Sequence, residues 1–156
     1  MRKASDISDE LHIDIRNEYH KTALNLFFTS NWLTGIHNRA LKEFGITIQQ
    51  HNILRILKSA HPNPCTIGTI KKGMIERLSD VSRVVDNMKK KKLINRYHSE
   101  EDRRVVHVYI TDKGLTILKS LEEVNDYLDN CVAHLSVEET KQLNYLLNKL
   151  RGEHRN

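Results

Sequence analysis

The chain has 156 residues, 38% of them apolar and 29% charged, with 6 glycines, 2 prolines and a net charge of +5. This length predicts one domain able to bury a core. The low apolar share argues against a thick, doubly covered sheet, and the few Gly and Pro against phosphate-cradling loops, collagen-like repeats and turn-dense β-sandwiches.

Residues 8–43 read as one long helix or two joined ones. Ile15, Tyr19, Leu26, Leu33, Ile36, Ala40 and Phe44 recur at helical spacing, and Leu24, Phe27, Phe28 and Trp32 widen the apolar stripe beyond one face. A helix dry on two sides needs two partners, one of them a second copy of the chain. Gly45 is a stop signal. Thr47 with Gln50 forms a capping box for the next helix, whose buried stripe is Ile53, Leu54 and Leu57. The segment His61-Pro62-Asn63-Pro64 ends it. Thr66 caps a short helix, with Ile67 and Ile70 inward, that stops near Gly73.

A further helix is expected from about Ser79 to Lys92. Val81, Val84, Val85 and Met88 form its dry side, and the run Lys89–Lys92 closes its polar side. Two short helices with the second amphipathic and basic match a helix-turn-helix. Charge agrees with this: residues 71–113 hold 12 Lys/Arg against 7 Asp/Glu, so the whole net excess lies in about a quarter of the chain. Polyanion binding is the expectation for such a basic centre between neutral flanks.

Residues 94–98 and 105–110 alternate and are rich in β-formers, around the polar loop Ser99–Arg104. Thr111 then caps a long helix reaching about His134, striped by Ile117, Leu118, Leu121, Val124, Leu128 and Val132. Ser136 and Glu139 form another capping box before a last helix with Leu143, Leu146, Leu147 and Leu150 on one side. The expected fold is mainly α with a small β-hairpin, a winged helix-turn-helix flanked by long N- and C-terminal dimerisation helices. Its parts are a dimerisation arm at 1–45, a DNA-binding module at 46–112 and C-terminal dimerisation helices at 113–156, all in one compact chain.

Five pieces in order carry a resemblance: Gly45-Ile46-Thr47 with Gln50; Ser82-Arg83-Val84-Val85-Asp86; Lys91-Lys92-Leu93-Ile94-Asn95-Arg96; Asp102-Arg103-Arg104; and Ile110-Thr111-Asp112-Lys113-Gly114. Over Gly45–Gly114 the chain resembles the MarR family of bacterial transcriptional regulators. It departs from the family at Lys92, where the family usually has glycine. The resemblance implies a homodimeric regulator of double-stranded DNA, expected to repress at a palindromic operator and to be released by a small aromatic effector. The alternative class is a helical protein-interaction module without specific DNA readout.

Ser79, Asp80, Ser82, Arg83 and Asn87 are the candidate groups at the base edges, Arg83 foremost because a guanidinium can bond O6 and N7 of guanine together. The competing reading of Arg83 is an ion pair with Asp86 or Asp80. Lys90 is a candidate phosphate contact. By the resemblance, Arg104 enters the minor groove, Arg103 lies beside it and Asp102 orients a neighbouring arginine. Phe27, Phe28 and Trp32 are candidates for an effector cleft, although aromatic residues at helical spacing more often form a core or a dimer seam. The nine histidines contain no HExxH or other close ligand pair, so no metal is expected. No Gly-rich loop, nucleophile motif or paired carboxylates occur, so neither an enzyme nor a cofactor is expected. The N-terminal residues lack the apolar run of a secretory signal, and no stretch is long and apolar enough for a membrane span. Cys65 and Cys131 do not form a disulfide framework, so a cytoplasmic protein with inert thiols is expected.

Overall fold

The computed structural model describes residues 6–75 and 80–152. The N-terminal stretch forms two joined helices, α1 (Ile7–Leu11) and α2 (Glu18–Lys42). His12, in the left-handed region at φ 51°, ends the first. The Asn17 side chain accepts from the His20 N–H at 2.9 Å and starts the second. At 25 residues α2 is about 37 Å long. Gly45, at φ 65°, turns the chain into α3 (Ile48–Ala60), where Thr47 and Gln50 make both bonds of the capping box.

A two-residue strand, β1 (Cys65–Thr66), precedes α4 (Ile67–Gly73), which Thr66 caps. The sequence pattern does not reveal β1, because two residues carry no alternation. The basic helix α5 (Val81–Lys90) is two residues shorter at each end than expected. Asp80 is its N-cap, and Lys92 takes the left-handed conformation at φ 60°. The Lys92 N–H donates to the Lys89 carbonyl (2.9 Å) and the Leu93 N–H to that of Met88 (3.0 Å). This is the Schellman closure that glycine usually makes. The lysine found where the family has glycine therefore adopts the glycine conformation.

Strands β2 (Ile94–His98) and β3 (Val106–Ile110) pair antiparallel, Ile94 opposite Ile110 and His98 opposite Val106. β1 joins the far edge of β3, giving the order β1-β3-β2. After the wing the structure departs from the expected single helix. It has α6 (Asp112–Ser120) and α7 (Glu122–Val132), interrupted at Leu121. Leu121 is completely buried while its backbone leaves helical geometry (φ −90°, ψ 1°), so the chain bends where this side chain enters the core. The last helix is α8 (Val137–Gly152), opened by the Ser136/Glu139 box.

The main core cluster lies between Leu41 and Leu121, with Ile53, Leu54, Leu57, Ile70, Val85, Met88 and Ile94 at its centre. No residue of α8 is buried, and Phe27, Trp32, Leu146 and Leu150 lie open. Among the described residues, no helix is long and apolar enough to cross a membrane.

Gly114, in the first turn of α6, is set against backbone. A Cβ there would lie 2.4 Å from the Leu93 carbonyl oxygen and 2.7 Å from Ile110 Cγ1. The Leu93 carbonyl cannot withdraw, because it accepts from the Thr111 N–H. Gly114→Ala is expected to destabilise the fold by about 1–3 kcal/mol through overpacking. Urea unfolding checks this, and an unchanged midpoint would contradict it.

Candidate nucleic-acid interface

Helix α5 presents its polar side because its apolar stripe is spent on the core: Val81, Val85 and Met88 are buried, whereas Ser82, Arg83, Asp86, Asn87, Lys89 and Lys90 are exposed. Asp80 accepts from the Arg83 N–H at 3.2 Å, so its carboxylate serves the helix terminus. Both flanks of the exposed face are tied down. On one, Asp86 pairs with Arg96 of β2. On the other, Asn87 Oδ1 accepts from Gln50 Nε2 of α3 at 2.8 Å. The two carboxylates within sequence reach of Arg83 are thus used otherwise. Among the described residues no carboxylate pairs with its guanidinium. Ser79 lies outside the described residues.

The lysine run divides by role. Lys91 Nζ turns inward and donates to the Gly45 carbonyl (2.6 Å) and to Gln50 Oε1 (3.1 Å). Lys92 makes the left-handed turn, while Lys89 and Lys90 remain exposed. Sequence reasoning missed Gln50, Lys91 and Arg96 as supports of α5. Gln50 is visible in the sequence as a capping residue, but its bonds to Asn87 and Lys91 span 37 and 41 residues.

The wing tip is built around Asp102. Its carboxylate accepts from the Arg104 N–H (2.9 Å) and from Arg104 Nε (3.2 Å), and its carbonyl accepts from the Val105 N–H (2.9 Å). Ser99 Oγ accepts from the Glu101 N–H, and His98 Nδ1 lies 2.8 Å from the Arg103 carbonyl. Asp102 therefore aims Arg104 in particular, while 92% of the Arg104 side chain stays open to solvent. An ion pair so exposed adds little stability; its effect is orientation. Arg103 is exposed beside it. The recognition-helix and wing candidates sit on separate elements, joined through the Asp86–Arg96 pair.

A cleft of about 500 Å³ opens between α2 and α3, lined by Leu26, Leu33, His37, Ile48, Asn52 and Met74 among others. Phe27, Phe28 and Trp32 are not among the residues that line it. Phe27 points to solvent, and Trp32 lines an adjoining apolar groove between α2 and the C-terminal helices, which shares Leu26 and Leu33 with the cleft. The reason is rotation about α2. Residues 26, 29, 33 and 37 share the cleft side, and the aromatic side chains follow or precede them by one.

His37, on the wall of this cleft, meets the His51 ring edge to face, 5.5 Å apart. His51 is buried, and desolvation, with His37 and Arg55 nearby, pushes its imidazole down to about 4. Burial also lowers His37, whose Nε2 has no hydrogen-bond partner. Among the described residues no group of three or more His, Cys, Asp or Glu could hold a metal. Cys65 is buried, which raises its thiol pKa and makes the reactive thiolate scarcer.

A helix-turn-helix exposing arginine and lysine, with a hairpin wing exposing arginines, defines a winged-helix DNA-binding transcription regulator. The MarR family model matches residues 46–106. The HTH-type transcriptional regulator MgrA of Staphylococcus aureus is 34% identical over 116 residues, covering 72% of this chain and 75% of that protein. A MarR transcription factor from Planctomyces limnophilus is 30% identical, with a TM-score of 0.67 over 87% of this chain and 98% of that one. MepR of S. aureus, solved as a DNA complex, shares the fold at 24% identity and a TM-score of 0.76, over 90% and 99% of the two chains. The chain belongs to the MarR family, whose members regulate transcription and are not enzymes.

The buried histidine generates a pH dependence. His51 is held neutral in the fold, whereas in the unfolded chain it titrates near its ordinary value of about 6.5. As pH falls below that value the unfolded state takes up a proton that the folded state refuses until about 4. Stability should therefore be fully present above about pH 6.5 and drain away toward pH 4, by up to about 1.4 kcal/mol per unit. Urea titrations at pH 7, 6 and 5 should show a shallower loss in His51→Leu. Identical pH profiles would contradict the assignment.

Proposed function

We propose that this regulator acts as a homodimer that recognises a palindromic operator, represses by occupying it, and is released by a small aromatic effector. The observation that carries specific recognition is the braced face of α5. Arg83 stands unpaired by any described carboxylate between Asp86 and Asn87, which are both held from outside the helix. Ser82, Arg83 and Asn87 face the base edges in this reading, with Ser79 and Asp80 at the helix start and Lys90 on the phosphates. Arg104, aimed by Asp102 and flanked by Arg103, enters the adjacent minor groove.

The homodimer reading rests on what one copy leaves bare. Between α2 and the last two helices runs an apolar groove of about 730 Å³ lined by Leu26, Trp32, Val132, Leu143, Leu146 and Leu150, among others. Residues 1–45 and 113–156 would supply this seam, and residues 46–112 the DNA-binding module. The effector reading rests on the cleft between α2 and α3, which has the volume of a small-molecule site and apolar walls with a few polar groups. A ligand there would bias how α2 sits on the DNA-binding module, which is a differential interaction of the kind that shifts a two-state equilibrium.

Binding to a selected operator and to random DNA tests recognition. Arg83→Ala should cost about 1–3 kcal/mol on the operator and much less on random DNA. Lys90→Ala should weaken both alike and reduce the salt slope by about one. Arg104→Ala should lower affinity and abolish a preference for A·T flanks, with Arg104→Lys restoring it only in part because an ammonium sheds its hydration less readily. Equal loss on both DNAs from Arg83→Ala would refute the orientation of α5. For assembly, sedimentation at micromolar concentration should return a dimer; a stable monomer of 18.2 kDa would overturn the homodimer.

A further inference from the structure

The contacts of Gln50 determine which end of the Asn87 carboxamide faces outward. Gln50 is 4% exposed and lies under α5. Its Oε1 takes two bonds, from the Thr47 backbone N–H at 3.2 Å and from Lys91 Nζ at 3.1 Å. Both of those groups are donors and nothing else, so an oxygen must face them. The other end of the Gln50 amide is then necessarily the NH₂ group, and it faces Asn87 at 2.8 Å. A donor there requires an acceptor opposite it, so Asn87 turns its oxygen inward. The polarity passes from Thr47 and Lys91 through Gln50 to Asn87 without a free choice at any step.

Asn87 is exposed and follows Arg83 by four residues, roughly 40° around the same helix face. Resting on the reading that this face enters the major groove, we propose that Gln50 is a positioning residue that makes Asn87 a reader of hydrogen-bond acceptors. Asn87 presents its N–H groups to the DNA. Guanine offers N7 and O6 and thymine offers O4 as acceptors, whereas cytosine presents only its N4 donor in the major groove. The base opposite Asn87 is therefore guanine or thymine in preference to cytosine. An unrestrained asparagine, by contrast, is free to turn either end outward, and its usual target is the mixed donor and acceptor edge of adenine.

Gln50→Glu inverts the relay with almost no change of shape. A carboxylate still accepts from Thr47 and Lys91, and glutamate serves equally well in a capping box. It faces Asn87 with an oxygen, so the Asn87 amide must rotate, giving its NH₂ to the introduced carboxylate and its oxygen to the DNA. The test is selection from a random DNA library with the full-length wild type, Gln50→Glu and Asn87→Ala, with thermal melting to verify folding. Wild type should show one operator position, sensitive to Asn87→Ala, that favours guanine or thymine over cytosine by about three- to tenfold, as one neutral hydrogen bond would. In Gln50→Glu the same position should turn toward cytosine or adenine. A Gln50 with a merely structural role would weaken all sequences alike and leave that preference as it was. Side-chain amide NMR of the wild type gives a second readout, independent of whether the variant folds: the Gln50 NH₂ protons should be protected from exchange and those of Asn87 should not.

An operator unaffected by Asn87→Ala, an unchanged preference in folded Gln50→Glu, or protected Asn87 protons would each overturn the relay and leave the DNA-binding function intact. Failure of wild type to enrich any sequence would instead overturn the reading of specific recognition, and this inference with it.

Discussion

The junction between the basic helix and the wing is the constraint on which the rest of the molecule depends. Three successive carbonyls at the end of α5 are satisfied from the start of α6. Lys113 Nζ reaches the Lys91 carbonyl at 3.0 Å, the Thr111 hydroxyl that of Lys92 at 2.8 Å, and the Thr111 N–H that of Leu93 at 3.2 Å. The missing Cβ of Gly114 lets the two backbones come this close. The helix cannot shift along its axis without breaking these bonds, and the hairpin between its ends is closed into a loop. Thr111 both caps α6, accepting from the Gly114 N–H, and binds α5, so one side chain starts one helix and finishes another. The left-handed turn at Lys92 brings those carbonyls within reach.

With the helix so held, its charged side chains divide between those bonded within the fold and those left open. Asp80, Asp86 and Lys91 are consumed by a cap, an ion pair and an interior hydrogen-bond network. This leaves Arg83, Lys89 and Lys90 open, a face more positive than the raw composition of the helix. Polar residues brace the helix without adding apolar surface to a face that must stay wet. The wing uses the same device on a smaller scale, with Asp102 orienting Arg104 at a position where an exposed pair contributes direction rather than stability.

The flanking helices present the opposite situation. The core cluster closes between Leu41 and Leu121, and it leaves Phe27 and Trp32 of α2 and Leu143, Leu146 and Leu150 of α8 outside it and exposed. The bend at Leu121 matters here. Burying that one leucine anchors α6 to the core and redirects α7 away from it, so that the end of α7 and the leucines of α8 line the groove beside Trp32. The core cluster is thus closed within one copy, and exposed apolar surface is gathered on the flanking helices.

What the sequence determined by itself was much of what acts over a few residues. The caps at Thr47, Thr66, Thr111 and Ser136, the turn at Gly45 and the buried stripe of α5 were all legible, because each depends on neighbours three or four positions away. The alternation in 94–98 and 106–110 marked the hairpin for the same reason. What only the tertiary structure decided were choices among equivalent partners. Asp86 could serve Arg83 or Arg96, and it serves Arg96 because β2 returns beside α5. Which end of Asn87 points outward depends on Gln50, and which side of α2 meets the cleft depends on a rotation that places Leu26 and His37 there and Phe27 in solvent. β1 exists only because β3 passes near Cys65, and the break at Leu121 only because the core has room for that side chain. Each of these is a long-range contact, and a local pattern holds no information about which distant group will arrive to make it.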